Sequence, residues 1–136
     1  MLEQMSRPAA RAADLHCVVS EWSDDSLDAS SVGRVKGVLS GMALAHKDIF
    51  DLPGRAPGLG VDHGQRDASR TRAAALERLV QAGASQWATL SMAPFACGAT
   101  AQNPYFPRVI NPIDPDLAVG GSSSGSAVAV AAGLSR

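Results

Sequence analysis

Hydrophobic and polar positions alternate in three distinct ways along this chain. Gly41 to Phe50 is an apolar run interrupted by charge at Lys47, which predicts a buried strand whose C-terminal end exposes that lysine. From Ser69 the period lengthens: Ala73, Leu76, Leu79, Val80 and Gly83 recur at three- and four-residue steps, while Arg70, Arg72, Glu77 and Arg78 fall mostly on other faces. This pattern predicts an amphipathic helix, with Asp67 or Ser69 able to cap its start and Gly83 able to end it. Gln86 to Met92 reads as a short strand, and strand, helix, strand at this spacing predicts a parallel crossover unit.

The other segments are punctuated rather than periodic. Met1 to Val19 predicts a helix broken near Pro8, and the acidic, Ser-rich Ser20 to Asp28 predicts an exposed loop. Pro53 to Gly64 is rich in Gly and Pro and predicts a loop, as does the Asn-, Pro- and Gly-rich stretch that follows Met92 as far as Val119. Gly120 to Ser126 is a Gly/Ser turn opening directly onto Ala127 to Leu134, a run that is apolar on every face and therefore predicts a buried helix. At about half the length of a spanning helix, that run gives no reason to expect a membrane segment.

Composition narrows the class. At 136 residues, with 46% hydrophobic and 18% charged residues, the chain holds one small domain at most and is too apolar to be disordered throughout. Twelve Lys+Arg against thirteen Asp+Glu leave a formal net charge of -1, so no overall field draws it to nucleic acid or to anionic lipid. Cys17 and Cys97 are too few for a disulfide framework and have no zinc spacing, which makes a reducing cytoplasm the expected location. Aromatic residues are only 4% while Ala and Gly abound, a composition that suits part of a large α/β enzyme better than a free-standing small domain.

Two features carry candidate chemistry. Ligands in open α/β sheets bind outside the C-terminal ends of strands, so Lys47 points toward a site. Ser122 and Ser123 open the last helix, where backbone N–H groups and hydroxyls bind an anion or position a hydroxyl. An amine of ordinary pKa about 10.4 acts as a base only in its neutral form, and hydroxyls between it and a nucleophile relay the proton. Taken alone, Lys47 beside Asp48 is more often a solvated strand end, and Ser122 and Ser123 are more often helix caps. A phosphate loop is excluded, because no Gly-Lys-Ser/Thr closes the motif. His46 alternates to the side of the strand opposite Lys47 and reads as a packed histidine, His16 and His63 lack ligand spacing, Cys97 reads as a buried structural thiol, and Met92 reads as core.

Gly41 to Asp48 with its Lys-Asp pair, then Met92, Phe95, Gly98, Asn103 and Asn111-Pro112, and above all Gly120 to Leu134, resemble the amidase signature family of serine hydrolases. The resemblance covers roughly residues 37–136 and meets three separated motifs in order. It implies an α/β fold, here the N-terminal portion of the amidase signature fold with a mixed sheet covered by helices, preceded by a helical and loop segment over 1–36. It also implies a Ser-Ser-Lys triad in which Lys replaces His. Lys47 is then the base, Ser122 the bridging serine after a cis peptide bond, and Ser123 a supporting contact for the amine. Met92, Gly120 and Gly121 are the expected substrate contacts. The family's acylating serine and oxyanion hole come about two dozen residues after the bridging serine. The chain is therefore expected to be a fragment lacking both, inactive by itself.

The implied substrate is a small-molecule amide, and the chemistry requires no metal or organic cofactor. No direct contact with nucleic acid or membrane is expected, and a homodimer of the full-length chain is left open. Departures from the family pattern bear on substrate identity. Ala43 stands where Pro is common, Ala88-Thr89-Leu90-Ser91 where Gly-Lys-Thr-Asn is common, and Pro94 where Glu is common. They also weaken assignment to the glutamine-hydrolysing component of a tRNA-dependent amidotransferase, which stays an alternative. A further alternative is a non-catalytic short protein that binds a full-length relative across an open sheet edge.

Overall fold

The computed structural model describes residues 12–21, 36–61 and 67–135. Three strands form one sheet in the order β1-β3-β2: β1 is Val18–Glu21, β2 is Ala43–Lys47 and β3 is Ser85–Leu90. β2 and β3 run parallel, with Lys47 opposite Leu90, and β1 lies antiparallel on the other side of β3, with Val18 opposite Leu90. Helix α1, Ala74–Gln81, connects the two parallel strands as expected, and α2, Ser124–Ala131, follows the long irregular segment.

β1 corrects the sequence expectation. Val18 and Val19 are strand rather than helix, and Ser20 and Glu21 are strand rather than loop. Only 12–15 are helical among the described residues of that segment, and the break near Pro8 and residues 22–28 lie outside the described residues. Four residues are too few to show a period of two, and the strand exists because β3 offers them a hydrogen-bonding edge.

The sheet is covered on both faces. Leu44, Leu52, Leu76 and Ala84 form one apolar cluster under α1, joined by Phe50 and Leu79. Val128, Ala129, Ala132 and Leu134 from α2 and its exit join Cys17, Leu90 and Val109 in the second, with Ala45 and Val18 against it. Side chains alternate along β2, so Leu44 belongs to the α1 layer and Ala45 to the α2 layer. Lys47, two residues after Ala45, meets α2.

Both α1 and α2 end where a glycine allows it. Gly83 (φ +101°) donates its N–H to Val80 O and Ala84 donates to Leu79 O, the paired bonds of a Schellman stop; Gly133 (φ +71°) and Leu134 repeat the arrangement on Val130 O and Ala129 O. The starts differ from expectation. α1 begins at Ala74 with no side-chain cap, since Ser69 is held in the loop by bonds with Gly54 and Arg55. α2 begins at Ser124, three residues before the apolar run, and only one of its faces is covered: Val128 is 1% exposed and Val130 is 60% exposed.

Candidate active site

Lys47 ends β2, and its side chain leaves the sheet on the α2 face. Its Nζ donates to Ser122 Oγ at 2.8 Å and to Ser123 Oγ at 2.9 Å, bridging 75 and 76 residues of sequence. Both serines sit in the turn that enters α2, and the Gly121–Ser122 peptide is cis. The turn is tied down by backbone bonds on each side. Ala93 N–H donates to Ser122 O at 2.9 Å, Gly121 N–H donates to Ala99 O at 2.9 Å, and Gly125 N–H donates to Ser91 O at 2.8 Å. The hydroxyl-bearing helix start is therefore fixed to residues 91–99, which follow β3, and the amine-bearing strand end is tied to the last residue of β3, where Asp48 N–H donates to Leu90 O at 3.1 Å.

Asp48 directly follows Lys47 and is 1% exposed. Its Oδ1 accepts the Gly58 N–H at 3.1 Å and faces Arg55 Nη2 at 3.7 Å. Arg55 extends the contact across the sheet, donating from Nη1 to Ser20 Oγ on β1 and from Nη2 to Thr89 Oγ1 on β3 at 3.4 Å. The Ser20 and Thr89 hydroxyls pair at 2.8 Å. A buried carboxylate is tolerated where hydrogen-bond donors and a cation compensate its lost hydration. Arg55 lies in a loop with no periodicity, so nothing in the sequence marks it as the partner of β1, β3 and the residue after β2.

His46 points away from the lysine. It is 5% exposed, its ring meets Phe50 edge-on at 5.9 Å, and its Nδ1 lies 3.1 Å from Lys47 O. Burial lowers its pKa below the usual histidine value, opposed by the bond to the Lys47 carbonyl, with Arg55 lowering it further. The expected substrate contacts lie along the loops that hold the turn. Met92 is 1% exposed and offers its carbonyl to Asn103, Gly120 bridges to Thr100, and Gly121 lies against Thr100 and Gly98. Cys97 is exposed, which corrects its reading as a buried thiol, because the turn at Pro94–Ala96 carries it outward; Cys17 is the buried one, its pKa raised to about 11 by burial. His16 Nδ1 lies 3.0 Å from Arg108 O, and His63 lies outside the described residues. Among the described residues no group of three or more His, Cys, Asp and Glu is arranged to hold a metal ion, and no helix is long and apolar enough to cross a membrane.

These elements define an α/β scaffold that joins a strand-end lysine to two serines at a helix start. A sequence model of the family described as Amidase matches residues 3–136, and the chain belongs to that family, the amidase signature enzymes. It is 40% identical over 110 residues to the A component of the glutamyl-tRNA(Gln) amidotransferase of Halorhodospira halophila, a match covering 81% of this chain and 23% of that protein. It is 41% identical over 98 residues to Amidase 1 of Arabidopsis thaliana, covering 71% of this chain and 23% of the relative. A crystal structure of an amidase superposes with a TM-score of 0.78 at 31% identity, covering 98% of this chain and 32% of the other. The chain thus spans about a quarter of the length of the curated relatives it matches.

Proposed function

We propose that these residues supply the proton-relay half of an amidase that hydrolyses a carboxamide C–N bond. The observation that carries the reading is the single amine of Lys47 within 2.8 and 2.9 Å of the Ser122 and Ser123 hydroxyls. In the reaction a serine beyond these residues attacks the amide carbon. Its proton passes to Ser122 Oγ while Ser122 turns its own hydroxyl proton onto the lone pair of Lys47 Nζ, the amine acting here in its neutral form. The relay runs in reverse to protonate the leaving nitrogen, the C–N bond breaks, and water then hydrolyses the acyl-enzyme by the same path. Ser123 holds the amine from its second side. Gly120 and Gly121 contribute exposed backbone toward the substrate, and the buried Met92 shapes that wall from behind.

Simple carboxamides and glutamine are the two substrate classes this relay would serve. Similarity to one component of an amidotransferase and to a plant amidase, at 40% and 41% identity, favours neither, so glutamine in a multi-component complex stands as the second reading. The experiment is to isolate the protein from its source, weigh it intact, and assay ammonia release from glutamine and from a panel of simple carboxamides. A mass several times 14.0 kDa with turnover of one of these amides is the expected result. Lys47→Ala should then lower kcat by about 10³-fold or more with the fold retained. Unchanged turnover in that variant refutes the relay.

A further inference from the structure

Asn103 makes no hydrogen bond to the lysine or the serines, yet every polar atom of its side chain is engaged. Nδ2 donates to Gly60 O at 2.7 Å and to Met92 O at 2.9 Å, and Oδ1 accepts the Tyr105 N–H at 2.8 Å. The two carbonyls belong to separate segments packed backbone to backbone: a Cβ on Gly60 would lie 2.7 Å from Met92 O and 2.9 Å from Ala93 O. Two acceptor oxygens converging on one point repel, and an amide NH2 between them satisfies both.

Each of those segments leads to one member of the relay. Leu59, next to Gly60, donates its N–H at 2.7 Å to the carbonyl of Asp48, the residue after Lys47. Ala93, next to Met92, donates its N–H at 2.9 Å to the Ser122 carbonyl. The result is a closed ring from Lys47 through Asp48, Leu59, Gly60, Asn103, Met92, Ala93 and Ser122, completed by the 2.8 Å contact of Lys47 Nζ with Ser122 Oγ. The Asn103 amide joins the two halves of that ring at the end opposite the lysine.

We propose that Asn103 is a positioning residue for the amide hydrolysis, setting the separation of Lys47 and Ser122 by clamping loop 58–61 to residues 92–93. This inference rests on the amidase reading above. Its chemical signature is a requirement for donors. Aspartate at this position has the same shape but, when ionised, presents acceptors to two carbonyls and pushes Gly60 and Met92 apart, while the Phe95 N–H to Leu59 O bond at 2.8 Å keeps the segments from separating fully; when protonated it returns one O–H donor. Among the described residues the charged side chain sharing the surface depression around Asn103 is Arg108, itself donating to Pro115 O at 2.9 Å, and it favours the ionised form at neutral pH.

The test is steady-state kinetics on the protein at the length its source produces, for the wild type, Asn103→Asp and Lys47→Ala, at pH 8. Misplacement of a reacting group by about 1 Å costs about 10²-fold in rate, so Asn103→Asp should lower kcat by about 10- to 100-fold at pH 8 with KM within about twofold. A fall in kcat with KM held marks a displaced relay, whereas a packing defect in the substrate wall would raise KM as well. Activity within twofold of wild type at pH 8, or a KM that rises along with the fall in kcat, overturns the proposal. Should Asn103→Asp not fold, Asn103→Ser, which keeps a single donor, decides: a fall in kcat at constant KM is expected, and unchanged kcat overturns it. An inactive Lys47→Ala beside undisturbed Asn103 variants removes the positioning role alone, whereas an active Lys47→Ala removes the amidase reading and this inference with it.

Discussion

Gly125 brings the backbone of α2 directly against Cys17 and Ser91, the residues flanking β1 and β3, and replacing it by alanine measures how far the site depends on that approach. A Cβ built there would lie 2.5 Å from Ser91 N, 2.6 Å from Cys17 O and 2.7 Å from Ser91 O. All three are backbone atoms, so no side chain can swing aside. Helix propensity alone favours the alanine by about 1 kcal/mol. Against this stand overpacking, at about 1–3 kcal/mol, and disruption of two buried backbone bonds, Gly125 N–H to Ser91 O at 2.8 Å and Ser91 N–H to Cys17 O at 2.9 Å. Weakening the two bonds without breaking them adds about 1–3 kcal/mol in all, so the net effect is a loss of about 3 kcal/mol. For a chain of this size that lowers Tm by about 10 °C. Thermal unfolding by circular dichroism reads the shift directly, with Ala127→Gly, on the exposed side of the same helix, expected to cost only about 1 kcal/mol. Displacing α2 also withdraws Ser123 from Lys47, so in the protein at the length its source produces turnover should fall at temperatures where the variant is folded. A Gly125→Ala protein that melts at or above the wild-type temperature refutes the close approach, and with it the physical basis for the serines reaching the lysine.

The two thiols should separate cleanly under a thiol-specific reagent at pH 8. Cys97, exposed, reacts at once, and Cys17, buried with a pKa raised to about 11, reacts only on unfolding; two equally fast thiols contradict that placement. Stability should also report His46. Its folded pKa lies below the ordinary histidine value of 6.5, so the unfolded chain binds the extra proton first; stability is complete above about pH 6.5 and declines as the pH falls toward the folded pKa. His46→Gln should flatten that part of the Tm-against-pH curve, and an unchanged slope assigns the decline to other groups.

The crossover of β2, α1 and β3 is legible because each element is long enough to display its period and Gly83 marks a stop. β1 is not, since Val18–Glu21 acquires its conformation from pairing with β3 and four residues carry no pattern of their own. The lysine and the serine pair are legible as residue types at a strand end and a helix start, and the family motifs tie them together. What joins them physically is not legible. Arg55 reaching Ser20 and Thr89, and Asn103 reaching Gly60 and Met92, are contacts between segments separated by 11 to 43 residues, with no local pattern to announce them.

A lysine side chain carries about 2 kcal/mol of rotamer entropy, and two hydrogen bonds to hydroxyls offset that loss only if the hydroxyls are held beforehand. Here they are held through backbone: Ser122 by its carbonyl on Ala93, Ser123 by its place at the start of a helix that rests on Ser91 and Cys17. Such contacts need peptide groups to meet without side chains between them, which is what a chain with thirteen glycines and 4% aromatic residues permits. The same composition that gives the chain a poor core for its size gives it close loop-to-loop geometry, and the lysine–serine contact follows from the second property at the expense of the first.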